Sequence, residues 1–176
     1  MKARNSAKEQ KFTDTYETFI DEVYGFFYVR AGFDSALGED LTQEVFLAVF
    51  RELDSFKGRS SVRTWIFGIA RNKLNDFYRD RCRRKPEACG LDEADALCDP
   101  EQDACALAEK SFERGCVRTC LEKLPWHYQM ILTLKYLDDY SIKQIAQTAD
   151  ISAKAAESLL FRAKTAFIRE YKTEER

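Results

Sequence analysis

Apolar residues first recur at helical spacing from Phe12. Phe12, Tyr16, Phe19, Ile20, Val23, Tyr24, Phe27 and Tyr28 fall on one stripe, which predicts a helix with its aromatic side in the core, closed near Gly32. Residues 1–10 are polar and predict a frayed tail, and residues 34–38 a short loop. Over 39–54, Leu41, Val45, Phe46, Val49, Phe50 and Leu53 mark the buried side of a second helix. Asp40, Gln43, Glu44, Leu47 and Arg51 fall on its other faces, so Leu47 is an apolar residue ringed by carboxylates and amides. That surrounding suits a protein interface, although a single exposed leucine is common. Residues 55–61 read as a loop whose Ser61 caps a third helix, from Val62 to about Cys82, burying Trp65, Ile66, Ile69, Ala70, Leu74 and Phe77.

The period is then lost. Residues 86–103 contain Pro86, Gly90 and Pro100 and are acidic throughout, which predicts an extended linker. Helical spacing resumes over 104–124 with Leu107, Phe112, Val117, Leu121 and Leu124, and Pro125 opens the next helix, ending near Asp138 and Asp139. Ser141 caps a short helix over 142–148, and Ser152 starts a long last one reaching Tyr171. Two capped helices, short then long, joined by about four residues form a helix-turn-helix pattern. The expected fold class is therefore all-α: two small helical domains, 11–85 and 104–176, joined by a flexible acidic linker.

Charge sharpens this picture. The net charge of −2 conceals blocks: residues 1–56 carry −5, residues 57–85 carry +8, residues 86–109 carry −8 and residues 110–176 carry +3. The basic block spans the 55–61 loop and the third helix, where Arg63, Arg71, Asn72, Asn75 and Arg79 lie mostly opposite the core residues. Arginines with amides and nearby aromatics suit stacking on bases, hydrogen bonds to their edges and phosphate contacts; the plainer reading is a solvated helix face. The acidic linker beside it reads as a soluble connector, or as a shade against non-specific DNA.

With 45% hydrophobic residues, the 176-residue chain can build real cores. It has no apolar run of about 18 residues and no basic-then-apolar leader, so the expectation is a cytoplasmic protein without direct membrane insertion. Its six cysteines, Cys82, Cys89, Cys98, Cys105, Cys116 and Cys120, are then expected to be reduced. The lone His127, the absence of a Gly-rich phosphate loop and the lack of a clustered acid/base set argue against an enzyme and give no cofactor or metal to assign.

Two sets of residues resemble the sigma factors of bacterial RNA polymerase, in particular the small extracytoplasmic-function (ECF) group that keeps only the second and fourth regions. The first is Glu-Asp-Leu-Thr-Gln-Glu-Val-Phe at 39–46, with Leu53-Asp54-Ser55-Phe56, Trp65-Ile66 and Ile69-Ala70-Arg71-Asn72, similar to region two. The second is Leu124-Pro125 with Tyr128, Tyr140-Ser141-Ile142, Gln144-Ile145-Ala146, Ile151-Ser152, Ser158, Leu160, Arg162 and Ala163, similar to region four.

The resemblance implies that Asp40, Gln43, Glu44, Leu47 and Arg51 contact the β′ clamp helices of core RNA polymerase. It implies that Phe56, Lys57, Ser60, Arg63, Arg71, Asn72, Asn75 and Arg79 capture a flipped base of the −10 element and help melt promoter DNA. It also implies that the last helix enters the major groove of the −35 element through Ser152, Lys154, Glu157, Ser158, Phe161, Arg162 and Lys164. Glu157 and Leu159 occupy positions where the family commonly carries basic residues, and Asp150 one where a turn glycine is usual. Glu157 can accept from a cytosine amine, or it weakens DNA binding and the module serves mainly the β flap of the polymerase. An anti-sigma factor is the implied regulator. Two rival readings remain: a thiol- or metal-responsive regulator using the cysteines in and beside the linker, and a stand-alone helix-turn-helix regulator that never touches polymerase.

Overall fold

The computed structural model describes residues 2–85 and 114–174, and its described residues form helices and connecting turns without a strand. The helices are α1 (Lys2–Arg30), α2 (Ser35–Glu52), α3 (Val62–Arg84), α4 (Arg114–Lys123), α5 (Trp126–Tyr136), α6 (Ile142–Ala149) and α7 (Ala153–Glu174), with a 3-10 turn at Leu53–Ser55. They divide into two compact units, Met1–Phe77 and Tyr78–Arg176, with the boundary inside α3, earlier than the expected 85. The linker expected at 86–103, the helix expected to start at 104, and Cys89, Cys98 and Cys105 lie outside the described residues.

In the first unit, α1 begins at Lys2, so most of the stretch expected to fray is helical instead. Residues 2–11 contain no glycine, proline or β-branched residue, and such a run has high helix propensity. Lys8 also ties this turn down, pairing with Asp54 at 2.8 Å and lying 4.9 Å from the centre of the Phe50 ring. The C-terminal end is closed by Gly32 at φ 82° and Phe33 at φ 63°, with Phe33 N–H donating to Tyr28 C=O at 2.8 Å. The expected loop at 34–38 is absent: Asp34 accepts from Leu37 N–H at 3.1 Å and caps α2, which starts at Ser35. Gly38 is therefore helical, and a Cβ there would stand 3.4 Å from Tyr24 and from the Tyr28 backbone. Its missing side chain lets α1 and α2 approach.

Val23, Phe27, Val45, Val49, Ile66 and Ala70 are fully buried and form the centre of this unit. Two aromatics expected in the core, Tyr16 and Phe50, are each 40% exposed. They sit at the rim, where Tyr16 packs edge-on to Phe46 at 4.8 Å and Phe50 edge-on to Phe12 at 5.1 Å. On α3, Ile66, Ala70 and Leu74 are buried as expected, whereas Trp65, Ile69 and Phe77 are only half-buried.

In the second unit, Cys120, Leu124, Met130, Ile131, Leu134, Ile145, Ala149, Ala156, Leu159 and Ala163 build the core. The last turns of α3 belong here, since Cys82 Sγ lies 4.0 Å from Met130 Sδ and the Arg81 guanidinium 4.6 Å from the Trp126 ring centre. Pro125 stands at the N-cap of α5 with φ −55° and ψ 145°. Tyr136 and Leu137, at the end of α5, are exposed. Lys123 of α4 pairs with Glu174 near the end of α7.

Candidate nucleic-acid interface

Three stretches, α2, the loop after it and α3, carry the first set of candidate residues, all within the first unit except Arg79, which lies past its boundary at Phe77. On α2, Asp40, Gln43, Glu44, Leu47 and Arg51 are all exposed, and their spacings of three and four residues align them along one stripe. Leu47, in the middle, is 57% exposed. Glu44 is engaged within the unit, its Oε2 lying 3.0 Å from Lys73 Nζ of α3.

The loop from Phe56 to Ser61 follows. Phe56 stacks on Trp65 with ring centres 4.8 Å apart at 29°, and its N–H donates to Leu53 C=O at 3.3 Å. Gly58 at φ 68° occupies the left-handed region that favours glycine. Lys57, Arg59 and Ser60 are exposed. Ser61 Oγ accepts from Thr64 N–H at 3.0 Å, capping α3 as expected. The loop is thus held at both ends, by an aromatic stack and by a cap.

Along α3, Arg63, Arg71 and Asn72 are exposed, and Asn75 and Arg79 half-buried. Arg63 pairs with Glu22 of α1 at 2.8 Å and lies 4.9 Å from the Phe67 ring centre. Phe67 stands one turn from both Arg63 and Arg71, half-buried, with its edge against Phe26 at 5.6 Å. It shares the helix face of these arginines by its four-residue spacing from each, a step the sequence carried but the expected site did not include. Asn75 Oδ1 is buried without a hydrogen-bond partner, a costly state for an amide oxygen.

In the second unit, α6 carries a complete capping box: Ser141 Oγ accepts from Gln144 N–H at 3.4 Å, and Gln144 Oε1 accepts from Ser141 N–H at 2.8 Å. Asp150 ends the helix in the left-handed region at φ 58° and ψ 44°. The usual turn glycine is thus replaced by a residue that tolerates this conformation. Its carboxylate accepts from Arg83 Nη2 at 2.9 Å. Ser152 Oγ then accepts from Ala155 N–H at 3.1 Å and starts α7.

On α7, Ala156, Leu159, Leu160 and Ala163 are buried, whereas Ser152, Lys154 and Glu157 are exposed and Ser158 and Phe161 half-buried. Lys154, Glu157, Ser158 and Phe161 share the face opposite the core by their three- and four-residue spacing. Leu159 is fully buried, so it is a core position and not one that faces outward. Lys164 lies 5.6 Å from the Tyr136 ring centre. Arg162 is half-buried with its Nε lacking a partner, as is His127 Nδ1. Burial, and then the Arg162 charge, hold the His127 pKa below its ordinary value.

The thiols are less suggestive. Burial, and then neighbouring Cys116, push the Cys120 pKa up to about 11, which keeps that thiol protonated and a poor nucleophile at neutral pH. Among the described residues no three His, Cys, Asp or Glu side chains come together to hold a metal. No described helix is long and apolar enough to cross a membrane.

Comparison with known proteins agrees with this architecture. The family model Sigma-70 region 2 matches residues 15–84, and the model Sigma-70, region 4 matches residues 114–167. The chain is 31% identical over 134 residues to the ECF RNA polymerase sigma-E factor of Escherichia coli K12, covering 72% of this chain and 70% of that protein. It is 31% identical over 152 residues to the ECF RNA polymerase sigma factor SigM of Bacillus subtilis, covering 86% and 89%. Among solved structures, the sigma factor RpoE in complex with the anti-sigma factor NepR from Bartonella quintana has a TM-score of 0.48 and 19% identity, covering 93% of this chain and 98% of that one. With both region models in this order and two such relatives, the chain belongs to the sigma-70 family of RNA polymerase sigma factors, in its ECF group.

Proposed function

We propose that this chain binds core RNA polymerase in the cytoplasm and directs it to promoters by recognising −35 and −10 elements and helping to open the DNA. The α2 stripe of Asp40, Gln43, Glu44, Leu47 and Arg51 meets the clamp helices of β′. The Phe56–Ser61 loop and α3 capture a flipped −10 base, with Phe56, Lys57 and Ser60 from the loop and Arg63, Arg71, Asn72, Asn75 and Arg79 from the helix. Phe67 joins them as an aromatic between two arginines. Flipping costs a few kcal/mol of stacking and pairing. A loop already fixed by the Phe56–Trp65 stack and the Ser61 cap avoids ordering itself at that moment.

In the distal module, α7 enters the major groove with Lys154, Glu157, Ser158 and Phe161 leading. Ser152, Arg162 and Lys164 take phosphates or neighbouring edges. The region-four unit also meets the β flap, and an anti-sigma factor controls the whole by covering these surfaces. The protein acts as an initiation factor and not as an enzyme.

The observation that carries this reading is one exposed stripe on α2, centred on a 57% exposed leucine, followed directly by a pre-ordered loop and a basic helix. The test is retention on immobilised core polymerase. Asp40→Arg combined with Gln43→Ala should abolish retention while the far-ultraviolet circular dichroism spectrum stays unchanged. Normal retention of that variant would remove the α2 assignment, and failure of the unaltered chain to be retained would favour a stand-alone regulator.

A further inference from the structure

Within the first unit, ion pairs tie α3 to earlier helices: Arg63 to Glu22, and Lys73 to Glu44. The second joins the two proposed surfaces. Glu44 lies in the middle of the α2 stripe, and Lys73 follows Asn72 directly in the basic block of α3. Lys73 is absent from the promoter-contact residues named above. We propose that Lys73 is a further DNA-phosphate contact, neutralised by Glu44 in the free chain and released when the polymerase engages Glu44. The inference rests on the reading of α2 and α3 just given.

The geometry makes the pair breakable. Its atoms are 3.0 Å apart, but the side chains are 38% and 54% exposed, so water screens the attraction and the pair is weak. A partner that hydrogen-bonds Glu44 at a desolvated interface outcompetes so weak an intramolecular contact. The freed ammonium, on its flexible four-carbon stem, then reaches a phosphate. Coupling of this kind is reciprocal: whatever polymerase binding adds to DNA affinity, DNA adds to polymerase affinity. The ion pair also bounds the effect, at about two- to fivefold in either binding constant.

The test is a double-mutant cycle on the full chain, with a fluorescein-labelled single-stranded DNA 12-mer as probe and fluorescence anisotropy as readout. Glu44→Gln should tighten free-chain binding about two- to fivefold when Lys73 is present and leave it unchanged in a Lys73→Gln background. Lys73→Gln alone should leave the free chain nearly unaffected. In complex with core polymerase, the same substitution should reduce the slope of log Kd against log salt by about 0.7, the contribution of one single-strand phosphate contact. Equal tightening by Glu44→Gln in both backgrounds is the signature of a general charge effect and overturns the proposal. So does an unchanged salt slope in the polymerase complex. Arg71→Ala, outside the pair, separates the two levels. If it weakens binding while the cycle shows no coupling, the latch alone fails; if it has no effect either, the assignment of α3 to DNA fails with it.

Discussion

Truncating Leu47 to alanine separates an interface residue from a core residue. Its side chain is 57% exposed, so folding leaves more than half of its apolar area in water. Complete burial of a leucine side chain contributes about 1.5–3 kcal/mol, and covering the exposed fraction by a partner therefore contributes about 0.9–1.7 kcal/mol. Leu47→Ala should weaken binding to core polymerase by about five- to fifteenfold. The fold should hardly notice, because exposed substitutions away from caps and networks stay within about 0.5 kcal/mol. The assay is competition of unlabelled variant against a fluorescently labelled chain for core polymerase, run beside thermal melts. An unchanged affinity would mean that nothing covers Leu47 in the complex, and the α2 stripe would lose its central contact. A fall in Tm of several degrees would mean that Leu47 supports the fold instead.

Asn72→Ala should lower open-complex formation, read by permanganate reactivity of unpaired thymines, more than it lowers initial promoter binding, since its exposed amide is assigned to the melted strand. Asp150→Val should destabilise the second unit by about 1–2 kcal/mol, because a β-branched residue fits poorly at φ 58°, and a denaturant melt measures this. Stability of that unit should also fall as pH drops through 6.5, the ordinary His127 value. The folded pKa lies below that value, so the unfolded chain takes up the proton first and is favoured in acid. His127→Gln should flatten the loss of Tm between about pH 7.5 and 5.5; an equal loss in both proteins would assign it to other groups.

Much of this was legible along the chain. The apolar period located the seven described helices or the parts of them within reach, and Ser61, Ser141 and Ser152 were readable as caps because capping is local chemistry. Helix starts were less so. Residues 2–11 lack apolar pattern but have strong helix propensity and a lysine that reaches Asp54, a contact across more than forty positions. The polar 34–38 stretch was expected to be a loop, and the cap that Asp34 supplies to α2 went unread because Gly38 suggested a break. Rim and core look alike to a period count, which is why Phe50 and Tyr16 were expected inside and are 40% exposed. The same limit affected Leu159. Its position suggested a missing base contact, yet it is fully buried, so a basic residue there would be a buried charge in the core. Glu157, by contrast, does face outward. The Glu44–Lys73 pair left no trace in the sequence, because surface pairing across 29 positions depends on how α2 and α3 pack.

On the proposed reading, this chain confers promoter choice on core polymerase. Transcription of fragmented genomic DNA by core polymerase, with and without the purified chain, followed by mapping of RNA 5′ ends, tests it most directly. A new set of start sites sharing one −35 and one −10 sequence is expected, lost when Asp40→Arg and Gln43→Ala are introduced together. Start sites identical to those of core polymerase alone, from a chain verified as folded, would contradict it.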